Sequence, residues 1–466
     1  MGLFEERKVI SREKRVNTIT AYYGRNEALR DDVSVPEVRQ RIRTFSQSSG
    51  DEITDALRFL SSIGNTVTVI HGAIGCSAAE LGYYYDNGEK GVWYSTNLNE
   101  RDTIMGGDEK LRKTVERAYR RHKPKVIFVV GTPVVAINND DINSVIQELE
   151  EELNVKILSV YTDGFKSKVP VNGIDIILHG LVKYVVKKSE QEDFINVISI
   201  SESQKSIHEI IRLMTKLDLK VNVISRFSSI EAIEKAGAAK ASVALNTDEA
   251  DILLTALKEK AGIPYVKSPA PIGTAALAEW LTRLGRLLRI EEKTEALILE
   301  EEKRIEKYIF RHPFGGSKIY VDLRTSQAVS VAGLIEELGG ELSGVTLSHI
   351  DDRNKGCLKR FEKDTMIEIG DGQPFELANI LSKNEADFYI GEGGKTSWLT
   401  SLNILPISVE NKTLYGYEGI IEFIKAIERA KRSRHFSEYL SQNTVTPYKE
   451  SWLGKSTNWY IKQEVK

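Results

Sequence analysis

His71 and Cys76 stand five positions apart in His71-Gly72-Ala73-Ile74-Gly75-Cys76, directly after the apolar run Val67-Thr68-Val69-Ile70. A thiolate leaving a buried strand in a glycine-flanked turn, close to main-chain N–H donors, suits an iron–sulfur cluster, because backbone without side-chain bulk can approach a large inorganic ligand. The residues alone leave a second reading open, a structural cysteine in a tight turn. The chain has two cysteines, Cys76 and Cys357, too few for a disulfide framework or for a complete zinc or iron–sulfur site. Any cluster held at Cys76 therefore needs ligands from elsewhere. Cys357 lies in the polar segment Asp352-Arg353-Asn354-Lys355-Gly356-Cys357 and reads as a surface thiol without a role.

Other chemistries lack their residues. Gly394-Lys395-Thr396, after Phe388-Tyr389-Ile390, matches the end of the phosphate-loop pattern, but the first glycine of that pattern falls at Tyr389. The segment reads as an ordinary strand-to-helix loop. The seven histidines form no H-x-x-x-H or H-E-x-x-H pair, and no G-x-S-x-G elbow occurs, which argues against zinc and serine hydrolases. The 64 basic and 67 acidic residues are interspersed and sum to a net charge of −3, so neither nucleic acid nor an anionic membrane is an expected partner. No run approaches the roughly 18 apolar residues of a membrane span, and Met1 to Lys8 lacks the apolar core of a signal peptide. A cytoplasmic protein is expected.

The elements that must position the cysteine loop repeat along the chain. A helical stretch with Ala56, Leu57, Phe59 and Leu60 leads into the strand at Val67–Ile70. A helix over 109–122 leads into Val126–Val130, which ends at Gly131-Thr132-Pro133, and Val155–Val160 follows. Further strands are expected at Val197–Ile200, Val221–Ile224, Ala241–Leu245, Lys318–Val321, Gly344–Leu347, Met366–Ile369 and Phe388–Ile390, alternating with amphipathic helices. This alternation predicts an α/β fold of three Rossmann-like domains, each with a parallel sheet flanked by helices. The expected division is an N-terminal arm at 1–45, a first α/β domain with the cysteine loop at 46–190, a second with a long charged helix near 274–310 at 191–315, and a third with a C-terminal extension at 316–466. Ligands in such folds sit beyond the carboxyl ends of the strands, which singles out the loops after Ile70, Val130, Val160, Leu245, Ile390 and Pro406.

Several blocks, in order, resemble those of nitrogenase component 1. They are His71-Gly72-Ala73-Ile74-Gly75-Cys76-Ser77; Ser95-Thr96-Asn97-Leu98-Asn99-Glu100 with Asp102; Met105-Gly106-Gly107-Asp108-Glu109; and Gly131-Thr132-Pro133 with Asp140-Asp141-Ile142. Asp163–Ser167, Asn172-Gly173-Ile174-Asp175, Gly262-Ile263-Pro264, Pro271–Thr274, Ile369–Gly372 and Tyr415-Gly416-Tyr417-Glu418-Gly419 extend the resemblance over about residues 40 to 430. It implies the three-domain fold found independently above.

The departures from the family pattern carry the functional expectation. Members with a full half of the P-cluster supply three cysteines; here the first position falls at Gly50-Asp51 and the third at Pro133, so Cys76 alone remains. The cysteine and histidine that hold the catalytic subunit's metallocluster fall at Asn246 and Tyr415. The resemblance thus implies a 4Fe–4S or P-cluster-like iron–sulfur cluster shared with a partner subunit. Cys76 would be its metal ligand, Asp51 a second, oxygen ligand, and Gly75, Ser95 and Thr96 would line the cofactor. Glu100 would shape the docking face, and Asp140-Asp141 would cap the next helix. The implied partners are a homologous component 1 subunit, in a homodimer or heterodimer or up to a heterotetramer, and an ATP-dependent iron protein. The leading expectation is an oxidoreductase subunit that takes electrons from that iron protein and passes them through the cluster to a small molecule or cofactor. The alternative is a non-catalytic scaffold on which a nitrogenase-type metallocluster is assembled.

Overall fold

The computed structural model describes residues 18–36, 38, 41–43, 52–60, 62–77, 91–162, 169, 171–370, 373–392, 398–409, 412–445 and 448–463. Asp51, Asp163–Ser167 and Gly393–Thr396 fall outside them.

Within the expected arm, β1 (Tyr22–Arg25), a helix at Asn26–Asp32 and β2 (Arg41–Arg43) form. The first sheet has β3 (Thr66–His71), β4 (Trp93–Ser95), β5 (Val126–Gly131) and β6 (Lys156–Val160), all parallel, in the order β4-β3-β5-β6. The second has β7 (Ile195–Ile198), β8 (Val221–Ile224) and β9 (Ala241–Ala244), parallel, in the order β8-β7-β9. The third has β10 (Lys318–Asp322), β11 (Glu341–Leu347), β12 (Met366–Ile369), β13 (Phe388–Gly391) and β14 (Leu405–Ser408), parallel, with β1 added antiparallel to β12 at one edge. The alternation of short β-rich runs with helices thus folds as the sequence predicts. Every residue of β3 and β5 is buried, as strands covered on both faces require. β4 was not anticipated, and β14 only through the loop after Pro406; each is a short edge strand.

The long charged helix expected near 274–310 is two helices, Thr274–Leu288 and Glu291–Ile309. Arg289 breaks the run in the left-handed region, at φ 58°, and the two segments pack side by side. A Cβ on Gly285 would stand 2.3 Å from Thr294 Oγ1, so the glycine permits their close approach.

The arm and the C-terminal extension close over the third sheet. β15 (Ile461–Gln463) pairs antiparallel with β2. Arg43 of β2 places Nε 2.9 Å from Glu376 Oε1 and Nη2 3.9 Å from Glu368 Oε1. Both carboxylates are fully buried and share this one guanidinium, while Glu368 Oε2 accepts from Thr346 at 2.7 Å. Burial and the neighbouring Glu368 push the Glu376 carboxyl well above the usual carboxylate range, so the pair retains a proton at neutral pH. A carboxyl whose pKa is raised on folding contributes stability that is complete below its unfolded value, about 4.3, and is lost as the pH climbs through its folded value. The expected result is a thermal midpoint that falls from neutral into alkaline pH, with a shallower fall in Glu376→Gln. Unfolding curves across that pH range check this.

Candidate functional site at the rim of the first sheet

The carboxyl ends of β4, β3, β5 and β6 lie side by side, and hydroxyl side chains stitch each to the next. Thr96 Oγ1 accepts from Gly72 N at 2.9 Å. Thr132 Oγ1 donates to the His71 carbonyl at 3.0 Å, and Thr162 Oγ1 donates to the Gly131 carbonyl at 2.8 Å. Ser77 Oγ donates to Ser95 Oγ at 2.9 Å, and Ser95 Oγ accepts from Asn97 N at 3.1 Å. The chain leaving β3 is thereby fixed on both sides, and Cys76 follows in a single helical turn at 74–77.

His71 is fully buried beneath this turn. Its Nδ1 lies 3.1 Å from Thr96 Oγ1 and its Nε2 3.3 Å from Asp140 Oδ2. Burial drives the imidazole pKa down to about 4, so His71 is neutral at pH 7. Burial, with Asp108 nearby, raises the pKa of Asp140. Asp140 therefore faces His71 and does not cap the following helix; Asp141 does, with Oδ1 accepting from Ser144 N at 3.2 Å. The chemistry of a caged neutral imidazole is positional, since it holds the turn without carrying charge.

Cys76 is half-exposed and free. Among the described residues a Cβ on Gly75 would meet nothing within 4 Å, whereas one on Gly72 would stand 2.1 Å from Thr132 Oγ1. The two glycines thus serve different ends: Gly72 lets the loop pack inward, and Gly75 keeps its outer side open. Gly72→Ala is expected to cost about 2 kcal/mol by overpacking, and Thr132→Gly on that background is expected to restore part of the loss; denaturant titration of the single and double variants checks this. Ile74 in this turn, and Ile104, Met105 and Ile137 on the helices that follow β4 and β5, have 57, 82, 76 and 71% of their surface exposed. The short helices carrying the last three, Glu100–Met105 and Pro133–Asn138, are tied by Asn138 Nδ2 donating to the Thr103 carbonyl at 3.1 Å. Four large apolar side chains are thus left exposed on the turn and the two helices next to it.

The sequence-derived residues thus separate into groups. Gly75 and Cys76 line the open side of the turn. Ser95 and Thr96 build the loop through hydrogen bonds within the chain. Glu100 lies exposed in the first turn of its helix, beside the capping box formed by Asn99 and Asp102. Pro133, at the expected third cysteine position, opens a helix where its missing N–H costs nothing. Thr132 and Thr162 were missed, although each is a hydroxyl residue just beyond a strand, which is the available signal. Cys357 belongs elsewhere: it packs half-buried against the core of the third sheet, and burial raises its thiol pKa. It is therefore less exposed than a surface thiol and poorly ionised.

Asn246 and Tyr415 lie at a second place, where all three sheet units meet. Neither supplies a thiolate or an imidazole, and both are engaged within the chain. Asn246 Oδ1 accepts from Asp248 N at 3.1 Å and from Ser326 Oγ at 2.7 Å. The Tyr415 hydroxyl donates to Glu202 Oε1 at 2.7 Å and accepts from Gln327 Nε2 at 3.0 Å.

Three α/β units, each built on a parallel sheet, thus carry Cys76 in a glycine-flanked turn at the rim of the first. The chain belongs to the nitrogenase component 1 type oxidoreductase family, whose model matches residues 54–430. It is 24% identical over 411 residues to the nitrogenase iron-molybdenum cofactor biosynthesis protein NifE of Rippkaea orientalis, covering 84% of this chain and 87% of that protein. It is 26% identical over 392 residues to the protein of the same name from Clostridium pasteurianum, covering 79% and 84%. Among solved structures it matches one titled "Nitrogenase Cp1 at pH 6.5" with a TM-score of 0.74 at 17% identity, covering 89% of this chain and 98% of that one. That likeness confirms the fold expected from the sequence.

The turn fits an iron–sulfur cluster to the extent of one ligand. Among the described residues no three His, Cys, Asp or Glu side chains converge to hold a metal ion, so a cluster on Cys76 takes its other ligands from elsewhere. Among them, too, no helix is long and apolar enough to cross a membrane.

Proposed function

We propose that this chain is a scaffold subunit for the assembly of a nitrogenase-type metallocluster, holding an iron–sulfur cluster through Cys76 at an interface with a homologous subunit. The observation that carries this reading is the half-exposed Cys76 next to Gly75, in a turn after β3 that carries the exposed Ile74, with exposed Ile104, Met105 and Ile137 on the helices that follow β4 and β5. A thiol that offers one ligand, on a face that another protein should cover, suits a cluster completed by that protein. The similarity to cofactor biosynthesis proteins supports a role in assembly.

Within this reading the chain's own residues act on the loop. Thr96, Thr132 and Ser95 fix the backbone that presents Cys76. His71, neutral and caged, keeps the turn at constant charge. Ile74, Ile104, Met105 and Ile137 exclude water from the cluster's surroundings once the partner docks. The bound cluster would supply electron storage and sulfide-bridged iron. Asp51, adjacent to the helix that begins at Glu52, remains a proposed oxygen ligand. The division at residues 45, 190 and 315 is likewise proposed.

A second reading, a reductase subunit supplied by an ATP-dependent iron protein, is favoured by the placement of Cys76 at the molecular surface, where an electron donor could reach a cluster. The two readings part in one experiment. Co-purified anaerobically with its partner and mixed with a reduced iron protein and ATP, a scaffold loads and releases a metallocluster without turnover. Catalytic reduction of a small molecule by the same mixture would overturn the scaffold reading in favour of the reductase.

A further inference from the structure

The meeting place of the three units lies beyond the carboxyl ends of β7, β9 and β10, where ligands collect in folds of this kind. Here it is crossed by direct side-chain pairing. Arg324, following β10, grips Asp55 of the helix Glu52–Leu60 in the first unit with two bonds of 3.0 and 3.1 Å. The same guanidinium lies 3.1 Å from Glu249 Oε1, on the helix Thr247–Ala261 of the second unit. Glu249 is fully buried, and its Oε2 accepts from Ser201 N at 3.2 Å. Beside it, Glu202 of the second unit is joined to Tyr415 and Gln327 of the third at 2.7 and 3.1 Å. Ser326 N completes the seam by donating to Asp248 Oδ2 at 2.7 Å.

We propose that this junction is not a metallocluster site in this protein but an electrostatic clasp, centred on Arg324, that locks the three units together. The donor set supports this reading in three ways. The two positions from which the family resemblance would draw cluster ligands carry an amide, whose oxygen accepts from Asp248 N and Ser326 Oγ, and a phenol bonded to Glu202 and Gln327. The neighbouring carboxylates Asp55 and Glu249 are neutralised by a guanidinium, which competes with a metal for the same oxygens. Bidentate pairing fixes the first unit to the third with defined geometry. The inference concerns the junction alone; it rests on the proposed function only for the expectation that iron is bound at Cys76.

The test reconstitutes the complex of the full-length protein with its homologous partner anaerobically with ferrous iron and sulfide, then measures iron per complex and visible absorbance with the parent, Asn246→Ala, Tyr415→Phe or Cys76→Ala chain. The expected result is parental iron and an unchanged spectrum in Asn246→Ala and Tyr415→Phe. Loss of half or more of the iron in either, with Cys76 intact, would overturn the inference. Should Cys76→Ala also retain its iron, the cluster assignment fails while the junction inference stands. The clasp is read separately by hydrogen exchange in Arg324→Gln, with Tyr415→Phe as the milder variant if Arg324→Gln does not fold. Faster exchange in the helices Glu52–Leu60 and Thr247–Ala261 is expected for Arg324→Gln, and faster exchange in the second of them for Tyr415→Phe. Parental exchange in the folded variant would overturn the clasp.

Discussion

Cys76→Ala, co-purified anaerobically with the homologous partner beside the parental complex, is expected to lose essentially all cluster iron and its visible absorbance while keeping its thermal midpoint as an isolated chain. The two outcomes separate ligation from folding. The side chain is half-exposed and makes no disulfide, so its removal leaves no large cavity, and surface changes of this kind shift stability by about 0.5 kcal/mol or less. A cluster deprived of one of its thiolate ligands loses a strong bond, and among the described residues no group of three or more His, Cys, Asp or Glu side chains stands ready to hold the metal instead. Iron analysis and calorimetry on the same preparations check the pair. Retention of parental iron in the variant would show that Cys76 holds nothing.

Gly173→Ala is expected to produce the largest loss of stability among single-methyl additions in the first unit. Gly173 opens the helix Asn172–Tyr184, which packs against Glu52–Leu60. A Cβ there would stand 1.8 Å from the Glu52 carbonyl oxygen and 2.9 Å from the Ala56 Cβ. Backbone cannot swing aside as a flexible side chain can, so one helix must be displaced. The cost is expected to reach about 3 kcal/mol or more, at the upper end of overpacking effects. The helix that would move carries Asp55, so the clasp with Arg324 should loosen as well. Chemical denaturation compared with the parent checks the magnitude. A change under about 0.5 kcal/mol would mean that the two helices are not held this tightly.

Much of this architecture was legible because parallel strands announce themselves. Val126–Val130 is apolar along its whole length, and Val67–Ile70 but for Thr68, the pattern of strands buried on both faces. The loops singled out after Ile70 and Val130 do converge, since neighbouring parallel strands bring their carboxyl ends to one rim. The antiparallel additions were hidden for the opposite reason. β1 pairs with β12 more than 300 residues away, and β2 with β15, so neither leaves a local signal. The long helix was misread because charge and periodicity continue through Arg289, and a single left-handed residue can end a helix without a proline.

The candidate turn was legible at Gly75 and Cys76, where residue type and spacing carry the proposed chemistry and the chain forms a helical turn after β3. It was less so at Asp140 and Asp141, adjacent carboxylates of which one faces His71 and the other caps a helix. Which does which depends on the backbone turn between β5 and the helix Ile142–Leu153, not on composition. The clasp could not be read from sequence, because Asp55, Glu249 and Arg324 come from three separate units.

The most direct test of the central claim is native mass spectrometry of the anaerobically purified complex of this chain with its homologous partner. The mass of one intact species reports the number of chains and the bound inorganic atoms together. The account predicts a multi-chain assembly carrying an iron–sulfur cluster that is absent when Cys76 is alanine. A cluster retained by the isolated chain, or an assembly whose iron content is indifferent to Cys76, would contradict it.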